Sequence, residues 1–260
     1  MKKVTEVSRI IAIANQKGGV AKTTTAINLG AGVAAQGKRV LLIDLDPQGN
    51  ATTGSGIDKL EAETGVYDVL TESAGIGSVK VQSPAAGYDI VTANQHLAGA
   101  EVELVGIDGR EAILKRALER VTDDYDFVLI DCPPALSLLT INGLTAAKYV
   151  IIPMQCEYYA LEGLSDLVDT IKRIKSYMNP TLEIGGLVRT MFDGRNSLSQ
   201  QVSEQLDAHF GDKLFETVIP RNVRVAEAPS HGLPVLIYDK MSKGALAYQS
   251  LSAEFLTRFT

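Results

Sequence analysis

The chain has 260 residues, 45% hydrophobic and 22% charged, a balance that builds a folded core without disulfide or metal staples. Its two cysteines, Cys132 and Cys156, form no CxxC pair, so neither a disulfide framework nor a zinc site is expected and a reducing cytoplasm fits. The formal net charge of -6 disfavours phosphate backbones, so nucleic-acid binding requires a local basic patch.

The amino terminus, MKKVTEVSRI, reads as a lead-in to the first strand and not as a signal peptide. No apolar stretch approaches the roughly 20 residues that span a bilayer. Strand-like runs then alternate with helical stretches. Ile10–Ala14 leads through a glycine-rich turn to a helix over Thr23–Gln36. Further strands are expected at Arg39–Ile43, Asp89–Val91, Phe127–Ile130, Tyr149–Pro153 and Glu183–Arg189, with a short run ending at Ile219. Helices are expected at Arg110–Val121, Leu161–Met178 and Leu198–Phe210. In the second of these, Leu161, Leu164, Leu167, Val168, Ile171 and Ile174 recur at helical spacing and mark a core-facing side. Gly49–Lys80 reads as loop with short helical pieces. Apolar strands alternating with helices predict one doubly wound α/β domain over 1–260, its mostly parallel sheet covered on both faces.

The segment Asn15–Thr24, NQKGGVAKTT, follows a strand and opens a helix, the setting a phosphate cradle requires. Gly18 and Gly19 let backbone N–H groups turn toward phosphates, and the helix N-terminus adds its positive dipole end. Lys22 is expected to reach the β- and γ-phosphates and the Thr23 hydroxyl to take Mg2+. The pattern G-x-x-x-x-G-K-[ST] is altered, with Gln16 and Ala21 at its glycine positions and an extra lysine, Lys17. If position 21 needs a positive φ, the Ala21 Cβ costs about 1–2 kcal/mol and weakens nucleotide handling.

LLIDLDPQGN ends a strand with Asp44 and Asp46, which alternation puts on one side beyond the strand's carboxyl end, where open α/β sheets bind ligands. VLIDCPP closes an apolar run with Asp131, a Walker B pattern whose carboxylate holds a water on Mg2+. Cys132 beside it reads as a small buried hydrophobe. Two late segments follow strands: TMFDGRN at 190–196 and IPRNVRVAEAPS at 219–230. On pattern alone their arginines read as ordinary surface ion pairs.

The motif K-G-G-x-x-K-T-T, with the segments Ile11–Asn28, Arg39–Thr53, Tyr125–Leu144, Phe192–Ser199 and Ile219–Tyr238, resembles the deviant Walker A ATPases of the ParA/MinD superfamily. The likeness is strongest to the chromosomal ParA (Soj) proteins and covers nearly the whole chain. It implies a P-loop fold and a slow, partner-stimulated ATPase using ATP and Mg2+. The cradle is then Lys17, Gly18, Gly19, Val20, Ala21, Lys22, Thr23 and Thr24. Lys17, Lys22 and Asp46 are the catalytic group, with Lys17 serving the nucleotide across a face-to-face, ATP-dependent homodimer and Asp46 positioning the attacking water. Thr23, Asp44 and Asp131 lie at the metal, and Pro220, Asn222 and Val223 border the adenine.

Arg195 and Arg224 match positions that bind double-stranded DNA without sequence preference, with Arg189, Arg221, Lys213 and Lys243 as further contributors. The implied partner is a ParB-like centromere-binding protein, and the implied location is the cytoplasm, on the nucleoid. Longer relatives begin with a helix-turn-helix domain, whereas this chain starts at the first strand, so autorepression is not expected. Two alternatives stand beside this reading. A MinD-like membrane-positioning ATPase ends in a basic amphipathic helix, but the tail Ser250–Thr260 has one acid and one base and reads as the end of a packed helix. The other is a nucleotide-binding scaffold with little turnover, its hydrolysis disabled by Ala21.

Overall fold

Branched apolar side chains at consecutive positions suit strands covered on both faces, and β2 (Val40–Asp44) and β5 (Phe127–Asp131) are buried at every residue. The computed structural model describes residues 8–260, so residues 1–7 of the expected lead-in MKKVTEVSRI lie outside the described residues, and its last two residues, Arg9 and Ile10, open the first strand. With β1 (Arg9–Ile13), β3 (Lys80–Gln82), β4 (Asp89–Val91), β6 (Tyr149–Gln155) and β7 (Glu183–Thr190), these strands form a seven-stranded sheet in the order β3-β4-β2-β5-β1-β6-β7. Neighbours are parallel except β3 and β4. The expected doubly wound α/β architecture is therefore present.

Strand alternation divides the core into two layers. Ile11, Ile13, Val40 and Leu42 face one layer, packed with Ile27 and Leu29 of helix α1 (Lys22–Ala34) and with Tyr248, Leu251 and Phe255 of the final helix Lys243–Phe259. Ala12, Leu41, Ile43 and Val128 face the other, against Leu164, Leu167, Ile171 and Ile174 of the helix Ala160–Tyr177. Leu161 and Val168 of the same stripe are partly buried against that layer. The tail is spoken for as well, since Phe255 and Phe259 are buried. Its apolar side is thus committed to the core, and no helix among the described residues is long and apolar enough to cross a membrane.

Two expectations need correction, and one strand was missed. The run ending at Ile219 makes isolated bridges, Phe192 to Pro220 and Leu187 to Leu214, instead of a strand. The helix expected over Arg110–Val121 is shorter, a 3-10 turn at Arg110–Ala112 followed by Ile113–Leu118. The buried Asn142 side chain accepts from Leu114 N and donates to Arg110 O, fixing where that helix begins. The antiparallel edge strand β3 was not foreseen, because two of its three residues face solvent and leave no apolar alternation.

Helix α1 packs so closely on the final helix that a Cβ on Gly32 would stand 2.0 Å from Ser252 Oγ and 2.8 Å from its Cβ. Ordinarily a helical Gly→Ala gains about 1 kcal/mol, but overpacking a tight core costs about 1–3. The clash wins: Gly32→Ala is expected to lower the urea midpoint with an unchanged m-value, a loss of about 1–2 kcal/mol. A raised midpoint would show that the two helices have slack.

Candidate functional site

Parallel strands deliver their carboxyl ends to one edge of the sheet, where β1, β2 and β5 stand side by side. The loop after β1 is tied down on both flanks. Asn15 Nδ2 donates to Pro153 O at 2.8 Å and its Oδ1 accepts from Lys17 N at 3.0 Å, while Thr190 Oγ1 donates to Val20 O at 3.0 Å. The turn itself needs left-handed backbone. Gly19 has φ 73° and Ala21, the cap of α1, has φ 67° and ψ 35°. The condition posed from the sequence is therefore met: a Cβ occupies a position that favours glycine.

Lys22 lies in the first turn of α1, buried, with Nζ donating to Lys17 O at 3.1 Å. Burial lowers its pKa, opposed chiefly by the Asp131 carboxylate. Asp44 and Asp131 are register neighbours across β2 and β5, and both are fully buried. Burial pushes Asp44 up to about 6, even though Thr52 N and Oγ1 both donate to its Oδ2 at 2.8 Å and Asp46 N donates to its Oδ1 at 3.1 Å. Asp131 is raised well above the usual carboxylate range, first by burial and then by the Asp44 charge, with Thr23 and Lys22 working against the shift. Both Asp131 oxygens are buried and make no well-formed hydrogen bond among the described residues, although the Thr23 hydroxyl is near enough to favour the charged form.

A buried carboxylate without donors is costly unless a cation completes it. That orphaned pair, next to the Thr23 hydroxyl, fits a hard divalent ion, and Mg2+ characteristically takes few protein ligands and leaves the rest to water and phosphate. No group of three or more His, Cys, Asp or Glu suited to a metal occurs among the described residues. Of the three residues expected at the metal, Asp131 is free to serve, whereas Asp44 already accepts three hydrogen bonds from its own chain.

Above these acids opens a cleft of about 650 Å3. Gly18, Gly19, Ala21, Lys22, Thr23, Thr24 and Asp46 line one side, and Pro220, Asn222 and Val223 the other. Asn222 Oδ1 caps the short helix Val223–Glu227 by accepting from Arg224 N and Val225 N. Val20 is buried behind the loop. Lys17 is turned elsewhere, its Nζ 2.5 Å from Glu157 Oε2. Sequence reasoning missed Thr52, whose hydroxyl donates to Asp44 and accepts from Ala93 N, and Thr190, Met191 and Tyr248, which line the cleft. A threonine eight residues past a strand-end aspartate was the available signal for Thr52.

Arg195 and Arg224 are exposed and each is paired within the chain. Arg195 Nε and NH2 donate to the Asp193 carboxylate at 2.9 Å, and Arg224 meets Glu227 at 2.9 Å and Asp239 at 3.4 Å. Arg189 is a structural tie, donating to Ser203 Oγ and to the Phe215 and Glu216 carbonyls.

A family profile described as an AAA domain matches residues 8–184. The sporulation initiation inhibitor protein Soj of Bacillus subtilis is 54% identical over 246 residues, which cover 95% of this chain and 97% of Soj. The chromosome partitioning protein ParA of Caulobacter vibrioides is 53% identical over 252 residues, 96% of this chain and 94% of that protein. Among solved structures, cobyrinic acid a,c-diamide synthase from Mycobacterium smegmatis with bound ATP analog and magnesium shares 39% identity and a TM-score of 0.82, covering 96% of this chain and 95% of its own.

Two outcomes follow from the strained cap and the orphaned acid. Ala21→Gly is expected to raise the unfolding free energy by about 0.5–1 kcal/mol in urea, the relief of left-handed strain less glycine's added chain entropy, and Ala21→Val to lower it. Asp131→Asn is expected to melt higher than the parent at pH 8 without nucleotide. A carboxyl whose folded pKa is raised makes the folded state the better proton binder, so its destabilising effect sets in as pH rises. The variant's advantage should therefore shrink toward pH 5, and a pH-independent difference in melting temperature would refute this.

Proposed function

Because the chain belongs to the ParA/Soj family of chromosome-partitioning ATPases, we propose that it binds ATP with Mg2+ in the cleft above β1, β2 and β5, hydrolyses it, and uses the cycle to partition DNA. One observation carries this reading: a lysine buried in the first turn of α1, beside a glycine turn, feels the charge of a buried aspartate that makes no well-formed hydrogen bond among the described residues. The loop N–H groups and Lys22 bind the triphosphate, Lys22 exchanging the Lys17 carbonyl for phosphate oxygens. Thr23 and Asp131 hold the metal and its water, with Asp44 bracing the neighbouring backbone through Thr52 and Asp46 N. When bound, Mg2+ offsets phosphate charge and steadies the leaving group. Asp46, on the cleft wall, orients the attacking water, and Pro220, Asn222 and Val223 border the base.

Two such subunits join face to face when ATP is bound, each Lys17 reaching the nucleotide of the other. The dimer doubles Arg195 and Arg224 into a strip that holds double-stranded DNA through phosphates, so retention is strongly salt-dependent. Each arginine must exchange its carboxylate partner for DNA, an easy exchange because exposed ion pairs are worth about 0–1 kcal/mol. A ParB-like protein then stimulates hydrolysis, which loosens the dimer and frees the DNA on the nucleoid. The left-handed Ala21 supports one other reading, a scaffold that binds nucleotide with little turnover.

Phosphate release measured with and without DNA and a ParB-like partner separates the two. The ATPase reading expects stimulated turnover that Asp46→Ala reduces to background, whereas nucleotide binding without turnover under any stimulus favours the scaffold. Arg195→Glu or Arg224→Glu is expected to abolish DNA retention at low salt and leave ATP binding intact. DNA retention that survives both substitutions would disprove the strip.

A further inference from the structure

Lys17 has a fixed backbone and a movable head. In the free chain its N–H is held by Asn15 Oδ1 and its carbonyl accepts from Lys22 Nζ. The side chain reaches out to Glu157, and the two heads are 42% and 51% exposed. Glu157 is equally well anchored. It follows β6, its N–H donates to Gln155 O at 3.0 Å and its carbonyl accepts from Ala160 N at 3.0 Å, at the threshold of the helix Ala160–Tyr177. Two rigid backbones from distant parts of the chain thus present a carboxylate to the extra lysine of the loop. An exposed pair of this kind adds about 0–1 kcal/mol to folding, so its consequence is better sought in where it keeps the lysine.

We propose that Glu157 is a positioning residue that parks Lys17 on its own subunit, and that ATP-driven dimerisation requires this pair to open. The inference rests on the dimer reading above and adds to it the group that opposes the crossing. The parked lysine cannot also neutralise phosphates across a two-fold axis. Every dimer breaks two such pairs, so a weak contact counts twice in the association constant. The triphosphate carries more negative charge than one carboxylate and wins the lysine when a partner subunit presents it, but not before. The rim beside the pair is suited to being covered: Tyr158 and Tyr159 are 73% and 69% exposed and meet edge-on at 5.0 Å. Glu157 therefore biases the free subunit against pairing until a partner presents a triphosphate to the lysine.

The test uses the full chain with Mg2+ and a non-hydrolysable ATP analogue. Glu157→Gln, which removes the charge at nearly constant shape, is expected to tighten self-association by about 3- to 20-fold in analytical ultracentrifugation, the product of two exposed pairs. Its melting temperature should match the parent's. In the parent without nucleotide, a carbodiimide should join Lys17 to Glu157 within one chain, as read by peptide mass spectrometry. That crosslink should disappear at saturating analogue. An unchanged or weaker dimer in Glu157→Gln, or a crosslink that persists at saturation, would overturn the parking role. A parent that stays monomeric with analogue while the crosslink persists fails the dimer reading itself, whereas a parent that dimerises normally with the crosslink intact fails this inference alone.

Discussion

The carboxylate of Asp131 is the constraint around which the site is arranged. It ends β5 in full burial, with no well-formed hydrogen bond on either oxygen among the described residues, the Thr23 hydroxyl nearby, and Asp44 as its cross-strand neighbour. In a low-dielectric interior that charge is unfavourable on its own, and burial raises the Asp131 pKa well above the usual carboxylate range. Asp44 offsets part of the same cost by accepting from Thr52 and the Asp46 N–H, although burial still raises it to about 6. Leaving one of two adjacent acids unsatisfied makes sense where a cation arrives with its ligand. The same logic explains Lys22, which burial disfavours and which nonetheless stays near the acids, attached to a carbonyl that phosphate can replace.

The loop over these groups is tied down as firmly as the strands that carry the acids. Side chains at the ends of β1 and β7 clamp its backbone, and the left-handed Ala21 turns the chain into α1. Strain at a residue so near the proposed chemistry is tolerated because the surrounding ties over-determine it. Helix α1 is in turn buried nearly all round, between the sheet and the final helix, so the first turn of the helix has little freedom to drift from the acids. Rigid floor and fixed loop together suit a ligand that must be gripped, with the exposed Lys17–Glu157 pair left on the rim.

The parts of this arrangement that depend on short-range pattern were legible in the sequence. Strand β1, the glycine turn, α1 and the aspartates closing β2 and β5 all lie in contiguous segments with strong apolar periodicity. What was illegible depends on side chains meeting across long separations or on weak pattern. Thr52 and Asp44 are joined by a hydroxyl that no periodicity announces, and Lys17 and Glu157 are 140 positions apart. The three-residue edge strand β3 carries too little apolar signal, and the segment before Pro220 has the composition of a strand yet pairs only by single bridges. Ion pairing of Arg195 and Arg224 was the reading their pattern favoured unaided, and those pairs are present in the free chain.

The central claim is that Lys22 and the orphaned Asp131 together hold a magnesium-bound triphosphate. Titration calorimetry of the purified chain with ATP addresses it directly, run once with Mg2+ and once with a chelator. The account predicts one saturable site per chain whose affinity falls at least tenfold without the metal and is lost in Lys22→Ala. Absence of any saturable heat at millimolar ATP with Mg2+, or a site indifferent to both the metal and Lys22, would contradict it.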